Sequence, residues 1–185
     1  MLEEIYQDTQ ESMEKAVESL KNELQRVRTG RASLSILDGI RVDYYGTLTP
    51  LNQMATLSTP ESRLITIQPW DTSAIKEMEK AILKSDLGLT PSSDGKIIRI
   101  AIPPLTEVRR KELVKIVHKM SEEHKVGIRN IRRDANEMVK NLKKDGDISE
   151  DESFKAQDRT QKITDDYIKK IDSVFAKKEK EILEF

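Results

Sequence analysis

The chain has 185 residues, of which 35% are charged and 36% hydrophobic, and its formal net charge at pH 7 is −1. This balance excludes binding to nucleic acid through bulk positive charge, so any basic surface must be local. The lack of cysteine excludes disulfides, thiolate nucleophiles and thiolate metal sites, and it fits a reducing compartment. The acidic start of the chain and the lack of a long apolar run argue against a signal peptide or a membrane span, so we expect a cytoplasmic protein.

The density of charge divides the chain into two parts. Residues 31–105 contain 8 basic and 8 acidic side chains, whereas the other 110 residues contain 24 and 25. All six prolines also lie in the central part. We therefore predict an α+β fold in which residues 1–30 and 106–185 form a three-helix bundle and residues 31–105 form a small inserted α/β domain.

The first predicted helix occupies residues 1–30. Its apolar residues are spaced by 3 and 4, which is typical of a helix packed lengthwise against others: Met13, Val17, Leu20, Leu24 and Val27. We expect this helix to end at Thr29-Gly30, with the glycine near its C-cap.

The inserted segment shows strand-like alternation. Strands are predicted at 40–44, before the turn Tyr45-Gly46-Thr47, at 64–67 and at 98–102, with a helix whose apolar face is Ile75, Met78 and Ile82 and which ends near Leu87-Gly88. The chain crosses between the two domains at 28–32 and at 103–106. These crossings permit a hinge or a fixed interface, and the residue content favours neither. The hinge candidates are Gly30, Arg31, Pro103, Pro104 and Leu105.

The second long helix is predicted over 106–144, about 58 Å at 1.5 Å per residue, with Thr106 as its N-cap. Its expected buried seam comprises Leu113, Val117, Met120, His124, Ile128, Ile131, Ala135, Met138 and Leu142. Gly127 lies close to this seam, where we expect a close helix approach to offset its poor helix propensity of about 1 kcal/mol.

The third long helix follows a break at 144–147, and Ser149 with Glu152 forms its predicted capping box. Its seam is expected at Phe154, Gln157, Gln161, Thr164, Ile168, Ile171, Phe175, Lys178 and Ile182. Because the middle of this seam is polar, we expect looser packing or contact with water there.

The patterns typical of enzymes and metal sites are incomplete. His118 and His124 are six residues apart, so they point to different helix faces; His124 is expected in the core and His118 in solvent. Gly88 and Gly95-Lys96 lack the spacing of a phosphate loop, and the segment after Asp145 lacks the glycine and glutamate of a calcium loop. We therefore expect no catalytic site, metal or cofactor.

The charge of the second helix exceeds that of its neighbours. Residues 106–144 have a net charge of +6, whereas residues 1–30 have −3 and residues 145–185 have −4. At about 100° per residue, a basic stripe lies within roughly 60° of Arg129, away from the seam, and consists of Lys111, Lys125, Arg129, Arg132, Arg133, Asn136, Lys140 and Lys143. Such a stripe has the charge and shape to lie along a phosphate backbone.

A solvated helix face is the simplest alternative for this stripe. Three clustered arginines favour phosphate, because the guanidinium fork binds phosphate oxygens in pairs. The few aromatic residues favour double-helical RNA or DNA over stacked single strands. A coiled-coil adaptor with weak salt dependence and a general duplex binder both remain open, and a hydrolase or transferase is a distant third.

Six motifs resemble the bacterial ribosome recycling factor family, in order and over essentially the whole chain: Arg28-Thr-Gly-Arg-Ala-Ser33, Asp38-Gly-Ile40, Tyr44-Tyr-Gly46, Ser85-Asp-Leu-Gly-Leu89, Pro103-Pro-Leu-Thr-Glu107 and Arg129-Asn-Ile-Arg-Arg-Asp-Ala-Asn136. Leu34, where the family often has proline, and Gly127, where it often has alanine, depart from its pattern. The resemblance implies an L-shaped pair of domains, with a three-helix bundle and an α/β domain joined by a flexible hinge.

The resemblance also implies a non-enzymatic translation factor. With elongation factor G and GTP it would split post-termination ribosomes into subunits and release the mRNA, most simply as a monomer. The bundle would bind ribosomal RNA of the large subunit through Arg129, Arg132 and Arg133, with Arg28 and Arg31 as weaker candidates. The stripe adds Lys125, Asn136 and Lys140 to the expected RNA-binding residues.

Overall fold

The computed structural model describes residues 1–184, and these divide into two compact units. The first joins Met1–Arg28 to Thr106–Glu184, and the second runs from Thr29 to Leu105. Within the described residues there are four α-helices and six strands. The predicted α+β class, with a three-helix bundle and a small inserted α/β unit, is confirmed.

The bundle consists of α1 (Leu2–Gln25), α3 (Glu107–Lys144) and α4 (Glu150–Glu184), and each packs against the other two. The first helix ends four residues before the predicted Thr29-Gly30 cap. The amides of Arg26 and Val27 donate to carbonyls three residues earlier, and this tightened last turn closes the helix. Gly30 is therefore not the C-cap of α1.

The predicted starts of the other two long helices are confirmed. The Thr106 hydroxyl accepts from the amide of Arg109 at 3.2 Å, which caps α3. Ser149 and Glu152 form both halves of the capping box of α4, at 2.8 and 3.2 Å. Between the helices, Gly146 has a φ of +82°, a conformation that suits glycine after a helix end.

The buried seams of α3 and α4 agree with the prediction over part of their length and differ from it by one residue elsewhere. On α3, Met138 is 44% exposed and its neighbour Val139 is buried, while on α4 Phe154 is 60% exposed and Ser153 is buried. The polar middle of α4 is divided: Gln161 is exposed to solvent, as expected there, whereas Thr164 and the neighbouring Thr160 are buried. The prediction followed the large side chains alone, whereas the buried faces combine large aliphatic residues with serine, threonine and alanine.

Buried hydroxyl groups in the bundle find acceptors in their own helices. The side chains donate to backbone carbonyls four residues earlier, at 2.6 to 3.0 Å, and these residues are Thr9, Ser121, Thr160 and Thr164. A buried hydroxyl with an acceptor avoids most of the desolvation cost. Serine and threonine can therefore line this core without water.

The inserted unit begins with a hairpin of β1 (Arg41–Tyr44) and β2 (Thr47–Pro50). Its two-residue turn has positive φ at both Tyr45 and Gly46, the geometry of a type I′ turn. The helix α2 (Ile75–Lys84) buries the predicted face of Ile75, Met78 and Ile82. It ends at Ser85, earlier than predicted, because Ser85 is already extended.

A second, antiparallel sheet has the strand order β3-β4-β6-β5, formed by β3 (Ala55–Glu61), β4 (Leu64–Pro69), β5 (Pro91–Ser93) and β6 (Ile98–Ala101). The strands predicted at 64–67 and 98–102 are present, whereas β3 and β5 were not predicted. Both unpredicted strands contain proline and lie at sheet edges, where a missing amide donor is tolerated.

Gly127 has open space around it. A Cβ built at this position would meet no atom within 4 Å. The close helix approach expected there is therefore absent, and nothing offsets the cost of glycine within the helix.

Candidate nucleic-acid interface

The basic stripe of α3 divides into two edges. Along one edge, exposed cations have no ion pair within residues 1–184; we call this set the open row, and it comprises Lys111, Lys115, Arg129, Arg133, Lys140 and Lys144. At about 100° per residue, these positions fall between roughly 0° and 60° from Arg129. Lys115 and Lys144 lie in the arc used for the stripe, although they were not included in the predicted set.

The other edge of the stripe contacts α4, and Lys125 is its clearest case. Its ammonium pairs with Asp172 at 2.6 Å and with Glu122 at 3.1 Å, and its side chain is only 16% exposed. The hydrogen bond to Asp172 raises the pKa of Lys125, with Glu122 adding to the rise. The expectation that Lys125 faces outward with the stripe is wrong, because two carboxylates neutralise it between the helices. Lys143, in the same arc, pairs with Glu150 at 3.0 Å.

Arg132 lies at this edge but keeps part of its guanidinium available. Its Nη1 donates to Oε1 of Gln161 on α4 at 2.9 Å. Its Nε is buried and has no hydrogen-bond partner in the described part of the chain, and the same holds for Oδ1 of Asn136 one turn later. Its Nη2 has no partner among residues 1–184 either, and unlike Nε it remains accessible to solvent.

The register between α3 and α4 explains this contact. Lys143 meets Glu150 and Arg132 meets Gln161 in one antiparallel register, and Lys125 reaches Asp172 one helical turn further along α4. The same register places the buried Thr160 and Thr164 of α4 beside the turn of α3 that carries residues 129–133. Small side chains in the core therefore accompany the arginine cluster on the surface.

The remaining candidates lie near the ends of the inserted unit or just outside it. Arg28 and Arg31 are exposed, on either side of the boundary between the two units. Gly30 has a φ of +79°, and a Cβ added to it would lie 3.1 Å from Cγ of Leu105. The two chain connections therefore leave the inserted unit side by side, and Pro103 and Pro104 precede Leu105 in exposed, irregular chain.

The two histidines occupy different environments, as predicted. His124 is mostly buried, with Nδ1 2.8 Å from the carbonyl of Met120. His118 is exposed, with its ring edge against Phe175. Among residues 1–184, no three potential ligands of His, Asp or Glu come together as a metal site, and no helix is long and apolar enough to cross a membrane.

The sequence did not single out Gln161 as a member of this site. It was assigned to a buried seam, but it is exposed on α4 and lies against Arg132. Its Nε2 also donates to Oδ1 of Asp165 at 2.8 Å. An isolated glutamine carries no sequence signal for such a role, and only the register of the two helices reveals it.

Comparisons with known proteins agree with the motifs over the full length. A model of the ribosome recycling factor family matches residues 20–183. The ribosome-recycling factor of Desulfatibacillum aliphaticivorans is 70% identical over 185 residues, covering 100% of both chains. A solution structure of a ribosome recycling factor matches with a TM-score of 0.71 and 46% identity, covering 100% of this chain and 98% of that one.

A further solved structure places such a protein among its partners. It describes the T. thermophilus ribosome recycling factor and the E. coli elongation factor G bound to the E. coli post-termination complex. The match has a TM-score of 0.62 and 49% identity, and it covers 99% of both chains.

Proposed function

We propose, because the chain belongs to the ribosome recycling factor family, that it acts with elongation factor G and GTP to split post-termination ribosomes into subunits and release the mRNA. The family is one of non-catalytic translation factors. It therefore acts in the cytoplasm, where translation terminates. The neighbouring structure of a ribosome recycling factor with elongation factor G on a post-termination complex supports the same partners.

The observation that carries this proposal is the open row on α3. It lies in a chain that is related to ribosome recycling factors along its whole length. The row extends from Lys111 to Lys144, most of a helix of 38 residues. Cations in this arrangement can neutralise successive phosphates and release their counterions. The bundle accordingly binds ribosomal RNA of the large subunit, and it does so by charge and shape without reading bases.

Within the RNA-binding site, the residues have different roles. Arg129, Arg133 and Lys140 contact phosphate directly, since they are exposed and form no ion pair with any residue of 1–184. Arg132 donates to phosphate through its Nη2. Asn136 lies one turn later, on the same edge of the stripe. Lys125 acts indirectly by fastening α3 to α4. Arg28 and Arg31, both exposed, are weaker candidates for contact with RNA.

The inserted unit moves as a body about the two connections to the bundle. The hinge consists of Gly30, Arg31, Pro103, Pro104 and Leu105, and the bundle (residues 1–30 and 106–185) and the inserted domain (residues 31–105) are the two moving parts. Adjacent connections support this view, because a rotation at one strains the other little. A single monomer is sufficient for this action, since each copy carries both parts.

Light scattering from post-termination ribosomes tests the function directly. We expect scattering to fall when the protein, elongation factor G and GTP are all present, and to stay constant when any of the three is omitted. Free duplex RNA added in excess should compete weakly, because the ribosome offers a matched surface. No fall in scattering, in a reaction that an active recycling factor restores, would refute the function. Efficient competition by any duplex would favour a general RNA binder.

A further inference from the structure

Gln161 on α4 contacts Arg132, one of the three arginines clustered on α3. Gln161 accepts from Nη1 of Arg132 at 2.9 Å and donates through Nε2 to Asp165 at 2.8 Å. The three side chains form a relay from a carboxylate through a neutral amide to a guanidinium. This relay belongs to neither the buried seam nor the open row.

The relay fixes which end of the Gln161 amide faces Arg132. An amide has a donor end and an acceptor end, and Asp165 can accept only from the donor end. The carbonyl oxygen of Gln161 is therefore turned toward Arg132. Without Asp165, the amide could rotate and present its NH₂ group to a guanidinium, which cannot accept a hydrogen bond.

The middle member of the relay is uncharged, and this decides how Arg132 can be used. A carboxylate at position 161 would hold the guanidinium equally well, but it would also cancel its charge and compete with a phosphate. The neighbouring Lys125 illustrates that outcome, because two carboxylates surround its ammonium. Gln161 orients Arg132 and leaves its charge and its Nη2 available.

We propose that Gln161, held by Asp165, is a positioning residue for RNA binding, and that it aims Arg132 at a phosphate without neutralising it. The inference rests on the proposed function, since it concerns the same RNA-binding surface. The chemical group recognised is an RNA phosphate, which accepts from the remaining donors of the guanidinium. An arginine oriented before binding loses less side-chain freedom when the phosphate arrives.

The decisive variant is Gln161→Glu, which keeps the size of the side chain and replaces the amide by a carboxylate. Repulsion from Asp165 would turn the new carboxylate toward Arg132, so the arginine would be paired and lost to phosphate. We expect affinity for isolated large ribosomal subunits to fall about tenfold near 0.1 M salt. The slope of log affinity against log salt should shrink by about 0.7 to 0.9, the contribution of one phosphate.

A matched control separates this effect from a change in net charge. Gln10→Glu introduces the same charge on α1, where Gln10 is exposed, and it should change affinity less than twofold and leave the slope intact. Asp165→Asn retains an acceptor for Gln161 and should bind at least as well as the parent protein, whereas Asp165→Ala should bind severalfold more weakly. Helicity and melting temperature are measured for every variant.

The results distinguish the two proposals. A parent protein that does not bind large subunits would refute the RNA-binding function itself. A parent protein that binds, with Gln161→Glu and Gln10→Glu equal in affinity and slope, would overturn the positioning role alone. An affinity loss with an unchanged slope would also overturn it, because the loss would then be structural.

Discussion

The two units of this protein have cores of different composition. The inserted unit buries aliphatic side chains almost exclusively, with Ile65, Ile67, Ile98 and Ile100 fully buried on two neighbouring strands. The bundle also has a core of large apolar side chains, but it buries hydroxyl groups among them: Thr9, Ser121, Ser153, Thr160 and Thr164. Four of these hydroxyls donate to a carbonyl one turn earlier in the same helix. The difference shows that a helix can supply the acceptor that makes a buried hydroxyl tolerable.

The largest effect is expected from truncation in the inserted unit. Ile67→Ala removes a fully buried side chain from the central strand β4 and should lower the free energy of unfolding by about 2 to 5 kcal/mol. The only tryptophan, Trp70, belongs to this unit, so its fluorescence reports the unfolding of that unit in urea. Circular dichroism at 222 nm reports mainly the long helices of the bundle. A loss confined to the helical signal would contradict the assignment of the stabilising core.

Charge reversal in the open row should abolish function with little loss of stability. In Arg129→Glu/Arg133→Glu, two exposed cations become anions, and we expect ribosome affinity to fall at least about 100-fold, since a charge-assisted hydrogen bond contributes about 1.5 to 3 kcal/mol. Binding is measured by co-sedimentation with ribosomes, alongside helicity. The matched control Lys162→Glu/Lys169→Glu makes the same charge change on α4. Equal losses in both variants would show that net charge, and not the row, governs binding.

Gly127→Ala should stabilise the bundle. The space around Gly127 is open and its backbone is helical, so alanine removes the cost of glycine and raises the free energy of unfolding by about 1 kcal/mol. The helical signal should shift to higher urea while the Trp70 signal stays unchanged. Destabilisation would mean that α3 needs flexibility at this position.

The buried threonines of α4, Thr160 and Thr164, should tolerate the loss of their hydroxyl groups. In Thr160→Val the side chain keeps its shape, and the carbonyl of Ala156 loses only its extra donor. We expect the free energy of unfolding to rise by less than about 1 kcal/mol, in contrast to Ile67→Ala. The larger variant Thr160→Leu provides the opposite test, because overpacking should separate the helices and weaken ribosome binding. Equal binding by both variants would refute the need for close helices beneath the arginines.

The smallest effect concerns an exposed turn in the inserted unit. Hydrogen bonds from the amides of Ile97 and Lys96, and then from the Arg99 guanidinium, hold the pKa of Asp94 well below its usual value. A lowered pKa stabilises the fold above the unfolded value of about 4, and this contribution is lost as the pH falls below it. The difference in melting temperature between the parent protein and Asp94→Asn should be constant above about pH 5 and shrink below pH 4. A constant difference down to pH 2 would exclude this linkage.

The fold was largely predictable, and the errors have physical causes. Helix length followed from periodicity and caps, as at Thr106 and Ser149, because these signals are local. The first part of the α4 seam was misplaced by one residue, because Phe154 is large and apolar while Ser153 is small and polar. Further along the helix, the predicted Thr164, Ile171 and Ile182 are buried. Hydrophobicity alone cannot show that a buried serine or threonine hydroxyl can donate to a backbone carbonyl of its own helix. The edge strands β3 and β5 were missed because proline usually argues against a strand.

The sequence by itself determined where α3 and α4 begin, that α3 is basic between two acidic helices, and that the arginines 129, 132 and 133 share one side of it. These properties depend on the spacing and charge of neighbouring residues along one helix. The tertiary structure decided which cations remain open, because pairing depends on the residues that face them from another helix. Lys125 is neutralised by Asp172 and Arg132 is oriented by Gln161, although these pairs are 47 and 29 residues apart in the chain.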